Sequence, residues 1–259
     1  MPISGPRQIY ITGASGALGN RLMSLMNSSS SAVKAIAIPR DSKGCYVPAL
    51  CEEEQSISHG ENLRFVVHCG WNTKDRSPES QESCVKRTAT LAEYCSRRGI
   101  KVVFVSSISA RHGGVNNYGR AKFRAEQIVH SFGGESIRPG LILFEEPQGL
   151  QRRLNQLSRF PVTLEIHPDV PITVISIISL VEEILHRCDS RALNNRPIES
   201  SNVQATLNLL LRSDVGTTKW TIRFRLSVLK RVCYLLCRTR LLGTDTCDSL
   251  EALFFSEAE

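Results

Sequence analysis

Tyr118 and Lys122 are four residues apart in the segment Tyr118-Gly119-Arg120-Ala121-Lys122, where the surrounding pattern predicts a helix. Side chains at this spacing lie on one face of a helix. A nearby ammonium group stabilises a phenolate, so we expect Lys122 to lower the pKa of Tyr118 toward neutrality. Such a phenol can exchange a proton with an alcohol or a ketone. The same spacing also occurs on ordinary surface helices, so it does not identify a site by itself.

A hydroxyl group precedes this helix at the end of an apolar segment. The sequence KVVFV at residues 101–105 predicts a strand, and Ser106 and Ser107 follow it. A hydroxyl at the end of a strand can hold a reacting oxygen atom by a hydrogen bond. The two segments together therefore suggest an acid–base group and an oxygen-binding group in one site.

The segment T-G-A-S-G-A-L-G at residues 12–19 follows one predicted strand and begins a predicted helix. Glycines allow a tight turn and a close approach of the backbone to a pyrophosphate, and the third glycine allows the helix to press on the strand. The helix N-terminus adds free N–H groups and a partial positive charge. This context predicts a dinucleotide-binding turn, with contacts from Gly13, Ser15, Gly16, Ala17, Leu18 and Gly19.

The choice between NAD and NADP is expected after the second predicted strand, which ends near Ile38. An acidic residue there would accept a hydrogen bond from the ribose 2′-hydroxyl of NAD, whereas an arginine would pair with the 2′-phosphate of NADP. Arg40 favours NADP as the cofactor. Asp41, the next residue, leaves NAD as the alternative.

Apolar segments alternate with helical patterns along most of the chain. The patterns predict strands at residues 8–12, 33–38, 63–68, 101–105, 136–143 and 171–178, and helices at residues 17–26, 78–98 and 118–130. A capping box, Ser179-x-x-Glu182, predicts a last helix that reaches about His186. This alternation is typical of an α/β fold with a doubly wound parallel sheet. We expect a dinucleotide-binding domain at residues 1–147. Residues 148–259 would form a small mixed region that covers the substrate and includes a returning strand and helix.

These segments together resemble the short-chain dehydrogenase/reductase superfamily, in particular its extended NAD-dependent epimerase/dehydratase type. The resemblance rests on residues 12–19, 67–70, 104–107, 118–122 and 138–140. It implies a Rossmann-type fold in which Ser107 holds the substrate oxygen, with Ser109 as the rival for that role. It also implies that Tyr118 is the general acid or base and that Lys122 contacts the ribose and tunes the tyrosine. Further implied cofactor contacts are Cys69, Gly70, Tyr118, Lys122, Pro139 and Gly140.

The implied function is that of an NAD(P)-dependent oxidoreductase or epimerase that transfers hydride to or from a carbonyl or alcohol substrate, such as a sugar nucleotide. Dehydratases of this type carry an Asp-Glu pair after the oxygen-binding residue, and Ile108-Ser109 stands there instead. This difference argues against dehydration. The alternative is a non-catalytic NAD(P)-binding sensor or scaffold module, against which the Tyr118–Lys122 pair favours an enzyme.

A basic segment near the C-terminus carries much of the formal net charge of +7. Apolar and basic residues alternate over Leu226 to Leu242 in a pattern that predicts an amphipathic helix. Three interpretations stay open: packing on the substrate-covering region, binding of a nucleotide diphosphate, and contact with an acidic membrane surface or a partner. No nucleic-acid partner is predicted. The sequence leaves the oligomeric state open, with a homodimer as one possibility, because members of the resembled family commonly dimerise through helices like those at residues 78–98 and 118–130.

Nine cysteines with irregular spacing do not suggest a disulfide framework, and no metal site is predicted. The N-terminal residues lack the pattern of a signal peptide, and no apolar segment is long enough to cross a membrane. A cytoplasmic location is therefore expected. Trp71 is interpreted as a packing residue.

Overall fold

The computed structural model describes residues 7–29, 33–42, 44–47, 65–111, 116–158, 162–169, 171–189, 198–199, 202–211, 220–227 and 231. Its helices are α1 (Ala17–Ser29), α2 (Pro78–Arg97), α3 (Asn117–Ser131), α4 (Gly149–Ser158), α5 (Ile177–Asp189) and α6 (Leu207–Leu211). Its strands are β1 (Arg7–Thr12), β2 (Val33–Ile38), β3 (Phe65–His68), β4 (Lys101–Val105), β5 (Glu135–Arg138), β6 (Leu141–Leu143), β7 (Val162–His167), β8 (Pro171–Ser176), β9 (Ile198–Glu199), β10 (Val203–Thr206) and β11 (Trp220–Arg225).

Six strands form one parallel sheet in the order β2-β1-β3-β4-β5-β9. One face carries α1 and α5, whose apolar side chains pack with those of β1 and β4. The other face carries α2 and α3, which also pack against each other. The predicted α/β fold with a doubly wound, Rossmann-type parallel sheet is confirmed.

The order of the strands creates a crevice at the topological switch point, where the chain stops adding strands on one side of β1 and adds them on the other. From β1 the chain first adds β2 on one side and then β3 on the other. Ligands of open α/β sheets bind at such a point, outside the carboxyl ends of the strands. The register brings those ends together, because Thr12 pairs with His68 and His68 pairs with Phe104. The residues that follow these three positions must therefore meet at one edge of the sheet.

Local sequence signals account for the two helices that face each other on the second side of the sheet. At α2, the Ser77 hydroxyl accepts from the Ser80 N–H at 3.3 Å, and Pro78 occupies the first turn. Gly99 follows this helix with a φ of +68°. At α3, the Asn116 side-chain oxygen accepts from the Gly119 N–H at 2.7 Å. Both predicted helices are confirmed.

The single strand predicted over residues 136–143 is wrong. The chain leaves the main sheet after β5 and enters a second, three-stranded sheet as β6, next to β8 and β10. Pro139-Gly140 makes the change of direction. A Cβ atom on Gly140 would collide with the carbonyl oxygen of Thr173, so the two segments cross by direct backbone contact.

The start of the last predicted helix also differs. The capping box predicted at Ser179 is wrong, because α5 begins at Ile177 and continues to Asp189. The hydroxyl of Ser176 accepts from the Ser179 N–H at 3.0 Å and so caps the first turn. Ser176, three residues earlier, therefore caps the helix in place of the predicted Ser179. The strand before it, predicted over residues 171–178, is the shorter β8.

The amphipathic segment 226–242 lies outside the described residues except for Leu226, Ser227 and Arg231. Within the described ranges, the structure contains no helix with both the length and the apolar character to cross a membrane. The same ranges contain no cluster of three or more His, Cys, Asp or Glu side chains suited to a metal ion.

A fully buried histidine links β1, β3 and α2 below the crevice. One ring nitrogen of His68 lies 2.6 Å from the Thr12 hydroxyl, and the other lies 2.9 Å from the Thr88 hydroxyl. Burial lowers the pKa of His68 to about 3, and the positive charges of Lys122 and Arg87 add to this effect. The imidazole is therefore neutral in the folded protein.

This pKa shift predicts a loss of stability in mild acid. An unfolded histidine binds a proton below its ordinary pKa of about 6.5, whereas folded His68 does not, so unfolding becomes easier as the pH falls from 6.5 toward 3. We expect the free energy of unfolding of the natural chain to fall about 2 kcal/mol more than that of His68→Gln between pH 7 and pH 5. Urea unfolding at the two pH values measures this difference. Parallel pH dependences of the two proteins would contradict the prediction.

Candidate active site

The glycine turn after β1 is built by direct contact between backbone segments. Gly13 has a φ of +73°, and its carbonyl oxygen accepts from the Gly16 N–H at 3.0 Å. A Cβ atom on Gly13 would lie 2.6 Å from the Cα atom of Gly70, and one on Gly19 would collide with the Gly13 carbonyl. Side chains at these positions would separate β1, α1 and the end of β3.

The N-terminus of α1 opens into a cleft of about 630 Å³. Ser15, Gly16 and Ala17 are exposed on its wall, whereas the side chain of Leu18 packs on the core. An ion pair between Arg21 and Glu145 connects α1 to the opposite wall. The helix N-terminus, where the first N–H groups have no partner within the helix, and the small residues of the turn fit a dinucleotide diphosphate.

Arg40 lies beyond the end of β2 and is exposed. The carboxylate of its neighbour Asp41 accepts from the Cys45 N–H at 2.7 Å, and the Asp41 N–H donates to the Cys45 carbonyl at 2.8 Å. The acidic side chain therefore closes its own turn, while the positive charge of Arg40 acts to lower the pKa of Tyr46.

The end of β3 supplies the next wall of the crevice. A Cβ atom on Gly70 would collide with the Tyr46 hydroxyl, so this glycine leaves space for the tyrosine ring. Burial raises the pKa of the neighbouring Cys69 to about 12, although the positive charge of Lys122 acts in the opposite direction. Cys69 is therefore a neutral thiol.

The turn at Pro139-Gly140 is held from two directions. The Pro139 carbonyl accepts from the Ile108 N–H at 3.1 Å, and the Gly140 N–H donates to the Asn202 side chain at 3.0 Å. Arg138, just before the turn, donates three hydrogen bonds to the buried carboxylate of Glu126 on α3, the shortest at 2.6 Å. The turn is thereby fixed against both the β4 end and α3.

The serine and tyrosine hydroxyls predicted for catalysis come together after β4. The Ser107 side chain lowers the pKa of the Tyr118 phenol, and its oxygen lies 2.9 Å from the hydroxyl oxygen of Ser109. Ser107 is thus in contact with its rival Ser109, and of the two serines it is the one that acts on the pKa of Tyr118. A Cβ atom on Gly119 would collide with the Ser109 carbonyl, so the start of α3 rests directly on this loop.

Lys122 is buried beneath the tyrosine. Its ammonium group donates to the Val105 carbonyl at 2.7 Å. The same nitrogen lies 4.4 Å from the ring centroid of Trp71, 4.5 Å from that of Phe104 and 5.9 Å from that of Tyr118. Burial lowers the pKa of Lys122 to about 7, against the opposing influence of Cys69, Cys84 and Glu126.

The expectation that Lys122 lowers the pKa of Tyr118 toward neutrality is wrong for this arrangement. Burial raises the pKa of Tyr118 above its ordinary value, and the groups that act against this rise are Arg76 and then Ser107. The physical reason is that the Lys122 ammonium is itself desolvated and is bonded to a backbone carbonyl instead of the phenol.

Two residues of the site were not predicted. Trp71 packs, as expected, but it does so edge-on against Tyr118, with ring centroids 6.4 Å apart. The Arg76 guanidinium lies 4.8 Å from the centroid of the Tyr118 ring. Both belong to the loop after β3, which faces the ligand crevice in folds of this type. That topological rule is the only signal in the sequence that pointed to them.

The comparison with protein families agrees with this geometry. The model of the NAD dependent epimerase/dehydratase family matches residues 9–144, from β1 to the residue after β6. The chain belongs to this family. Family membership confirms the predicted resemblance, the NAD(P) cofactor and the assignment as an enzyme. A comparison with curated proteins found no match.

Solved structures of the family share the fold across most of the chain. The dTDP-4-dehydrorhamnose reductase of Bacillus anthracis in complex with NADP is 14% identical, with a TM-score of 0.64 and 86% of each chain covered. The UDP-N-acetylglucosamine 4-epimerase of Bacillus cereus is 13% identical, with a TM-score of 0.62 and 84% of this chain and 89% of that one covered. The GDP-L-fucose synthetase of Naegleria fowleri bound to NADP is 11% identical, with a TM-score of 0.64 and coverage of 86% and 82%. These similarities establish the common fold.

The contact between Gly119 and the Ser109 carbonyl gives a test of the site's construction. Alanine is favoured over glycine inside a helix by roughly 1 kcal/mol, so helix propensity alone predicts that Gly119→Ala stabilises the protein. We expect the opposite, a loss of about 1–3 kcal/mol, because the added Cβ atom overlaps a fixed backbone atom. Urea unfolding measures the change, and a more stable variant would contradict the described packing.

Proposed function

We propose that this chain is an NADP-dependent oxidoreductase or epimerase that acts on a carbonyl or alcohol group of a sugar nucleotide. The observation that carries the proposal is the meeting of the Ser107–Ser109 loop with the start of the helix that bears Tyr118, at the carboxyl edge of the sheet that also carries the glycine turn. Two hydroxyls beside the cofactor can perform acid–base chemistry on an oxygen atom, one by holding it and the other by exchanging its proton.

The proposed roles follow from the contacts of each residue. Ser107 and Tyr118 hold the substrate oxygen, and Tyr118 gives or takes its proton. Lys122 contacts the ribose of the cofactor and supports the floor of the site through Val105. When bound, the nicotinamide supplies or accepts the hydride. The absence of an acidic residue at Ile108-Ser109 favours reduction, oxidation or epimerisation over dehydration.

The diphosphate of the cofactor is assigned to the backbone of Gly13, Ser15, Gly16, Ala17 and Leu18, with Gly19 as a packing residue. Cys69, Gly70, Pro139 and Gly140 form the walls near the nicotinamide. Residues 1–147 form the dinucleotide-binding part in this proposal, and residues 148–259 cover the substrate. The sugar nucleotide is supported by solved relatives whose names include such substrates.

The preference for NADP rests on Arg40. Arg40 is exposed and can pair with a 2′-phosphate, whereas the Asp41 carboxylate closes a local turn. Two of the solved relatives were crystallised with NADP. A charge-assisted pair between arginine and phosphate is stronger than a neutral hydrogen bond to a ribose hydroxyl.

Arg40→Gln tests the cofactor preference. We expect NADPH to bind about tenfold more weakly, a cost of about 1.4 kcal/mol, while NADH binding changes less than twofold. Lys34→Gln is the matched control, because Lys34 is an exposed cation on β2, which precedes Arg40. Isothermal titration calorimetry of the three proteins measures the affinities. Equal losses for NADPH and NADH in Arg40→Gln would contradict the role.

Tyr118→Phe tests the catalytic assignment. Loss of the proton-transferring hydroxyl should lower turnover by at least about 100-fold and leave NADPH affinity nearly unchanged. The assay follows oxidation of NADPH by absorbance with a panel of nucleoside-diphosphate keto sugars. For an epimerase, chromatography of the sugar nucleotides replaces the absorbance signal.

The same measurements separate the proposal from its alternative. Tight binding of NADPH without turnover of any sugar nucleotide would favour a dinucleotide sensor. Failure of both NADPH and NADH to bind would refute the proposed function altogether. Full activity of Tyr118→Phe would refute the role of the tyrosine and leave the cofactor assignment in place.

A further inference from the structure

The turn that follows β2 is closed by its own hydrogen bonds and rests on α2. The Asp41 N–H donates to the Cys45 carbonyl at 2.8 Å, and the Gly44 N–H donates to the Asp41 carbonyl at 2.9 Å. Gly44 has a φ of +79°, and a Cβ atom at this position would lie 3.6 Å from two side-chain atoms of Arg87, the Cδ carbon and a terminal nitrogen. The side chain of Arg87 therefore lies against this turn.

Arg40 and Tyr46 flank the same turn. Because the two ends of the turn are hydrogen-bonded to each other, the chain enters at Arg40 and leaves at Tyr46 in neighbouring positions. Tyr46 is buried, and its hydroxyl group occupies the space that a Cβ atom on Gly70 would need. Burial raises the pKa of Tyr46, and the positive charges of Arg40 and Arg87 act against this rise. Both arginines are therefore close to one phenol at the wall of the crevice.

Neither arginine takes part in an ion pair within the part of the chain that the structure describes. The terminal nitrogens of Arg87 donate to the Ser83 hydroxyl at 2.9 Å and to the Cys84 sulfur at 3.2 Å. Arg87 is also half-buried, so its charge is partly removed from water. A partly desolvated guanidinium beside a second cation is stabilised when an anion binds between them.

The position of the two cations relative to the glycine turn indicates which anion they bind. The diphosphate of a dinucleotide lies at the glycine turn after β1, and the adenosine ribose lies at the end of β2. Gly70 connects the two places, because its Cα atom would lie 2.6 Å from a Cβ atom on Gly13 and its own Cβ atom would collide with Tyr46. The anion that reaches the turn after β2 is therefore the 2′-phosphate on that ribose.

We propose that Arg87 is a specificity-determining residue for NADP, which binds the 2′-phosphate together with Arg40. The inference rests on the proposed function, in which the chain uses NADP. Arg87 lies on α2, whereas the sequence rule for cofactor choice considers only the residues after β2. The two guanidinium groups share one phosphate through charge-assisted hydrogen bonds. NAD carries a hydroxyl group in place of this phosphate and leaves both cations without an anion.

Isothermal titration calorimetry of the full chain with NADPH and NADH tests this role. Arg87→Gln is expected to weaken NADPH binding about tenfold and to change NADH binding less than twofold, because only NADPH carries the 2′-phosphate. Arg87→Lys keeps a positive charge and should lose less affinity than Arg87→Gln. Lys86→Gln is the matched control, because Lys86 is an exposed cation next to Arg87 on the same helix, and this variant should bind both nucleotides like the natural chain.

Two smaller nucleotides locate the phosphate that Arg87 binds. Adenosine 2′,5′-bisphosphate carries the 2′-phosphate without the nicotinamide half of the cofactor, and adenosine 5′-diphosphate carries a diphosphate without the 2′-phosphate. Arg87→Gln should weaken binding of the first about as much as that of NADPH and leave binding of the second unchanged. Equal losses for the two nucleotides would mean that Arg87 acts on the diphosphate or only on the shape of the pocket, and would overturn the proposal.

The outcomes separate this inference from the proposed function. If the natural chain binds NADPH and Arg87→Gln binds it equally well, the role of Arg87 is overturned and the proposed function stands. If the natural chain binds neither NADPH nor NADH, the proposed function fails and this inference fails with it. Should Arg87→Gln not fold, Arg87→Met removes the same charge, keeps an apolar stem against Gly44 and carries the same expected loss.

Discussion

Direct contact between backbone segments is the constraint on which the site depends. The glycine turn touches the end of β3, the start of α3 touches the loop after β4, and the turn at Gly140 touches β8. Each contact leaves no space for a Cβ atom. The positions of the hydroxyls and of the free N–H groups are thereby set by main-chain atoms, which move much less than side chains. A site built in this way keeps its geometry while the outward-facing residues vary.

Desolvation governs the electrostatics of the region beneath the crevice. His68 and Lys122 both have lowered pKa values, and burial is the main cause in each case. The buried carboxylate of Glu126 pairs with Arg138 and reinforces the turn that follows β5. One face of α3 carries three of these side chains at intervals of four residues. Tyr118 is the proposed acid–base group, Lys122 is a partly neutral amine, and Glu126 forms a structural ion pair. Spacing along a helix brings side chains near one another, but their burial decides which of them are charged.

The sequence was sufficient to predict most of the helices and strands of the parallel sheet and its flanking layers. Apolar strands, the serine and proline before α2 and the glycine after it act locally, so their effects can be recognised without knowledge of the tertiary structure. Residues 136–143 were different, since the division into two strands depends on a crossing with Thr173, a residue distant in the sequence. The serine that caps α5 was misassigned because Ser176 and Ser179 are both suitable for capping and only the backbone distinguishes them.

The candidate site was predictable to the extent that it follows motifs. The proximity of Ser107 to Tyr118 follows from two strand and helix ends at one edge of a sheet. The environment of Lys122 does not follow from such motifs. It depends on Trp71 and Phe104, which contact the amine from two other segments of the chain. Arg76 was equally hidden, since no spacing rule connects a loop residue to a helix more than forty positions later. Such contacts depend on how distant segments pack in the folded chain, so they could not be recognised in the sequence.

The placement of Trp71 has a practical consequence for the study of this protein. The chain contains two tryptophans, and one of them lies against Tyr118 and the amine of Lys122. The emission of an indole depends on the polarity and charge around it. A molecule that enters the crevice and disturbs this ring will therefore change the intrinsic fluorescence of the protein, which gives an optical signal of occupancy without any added label.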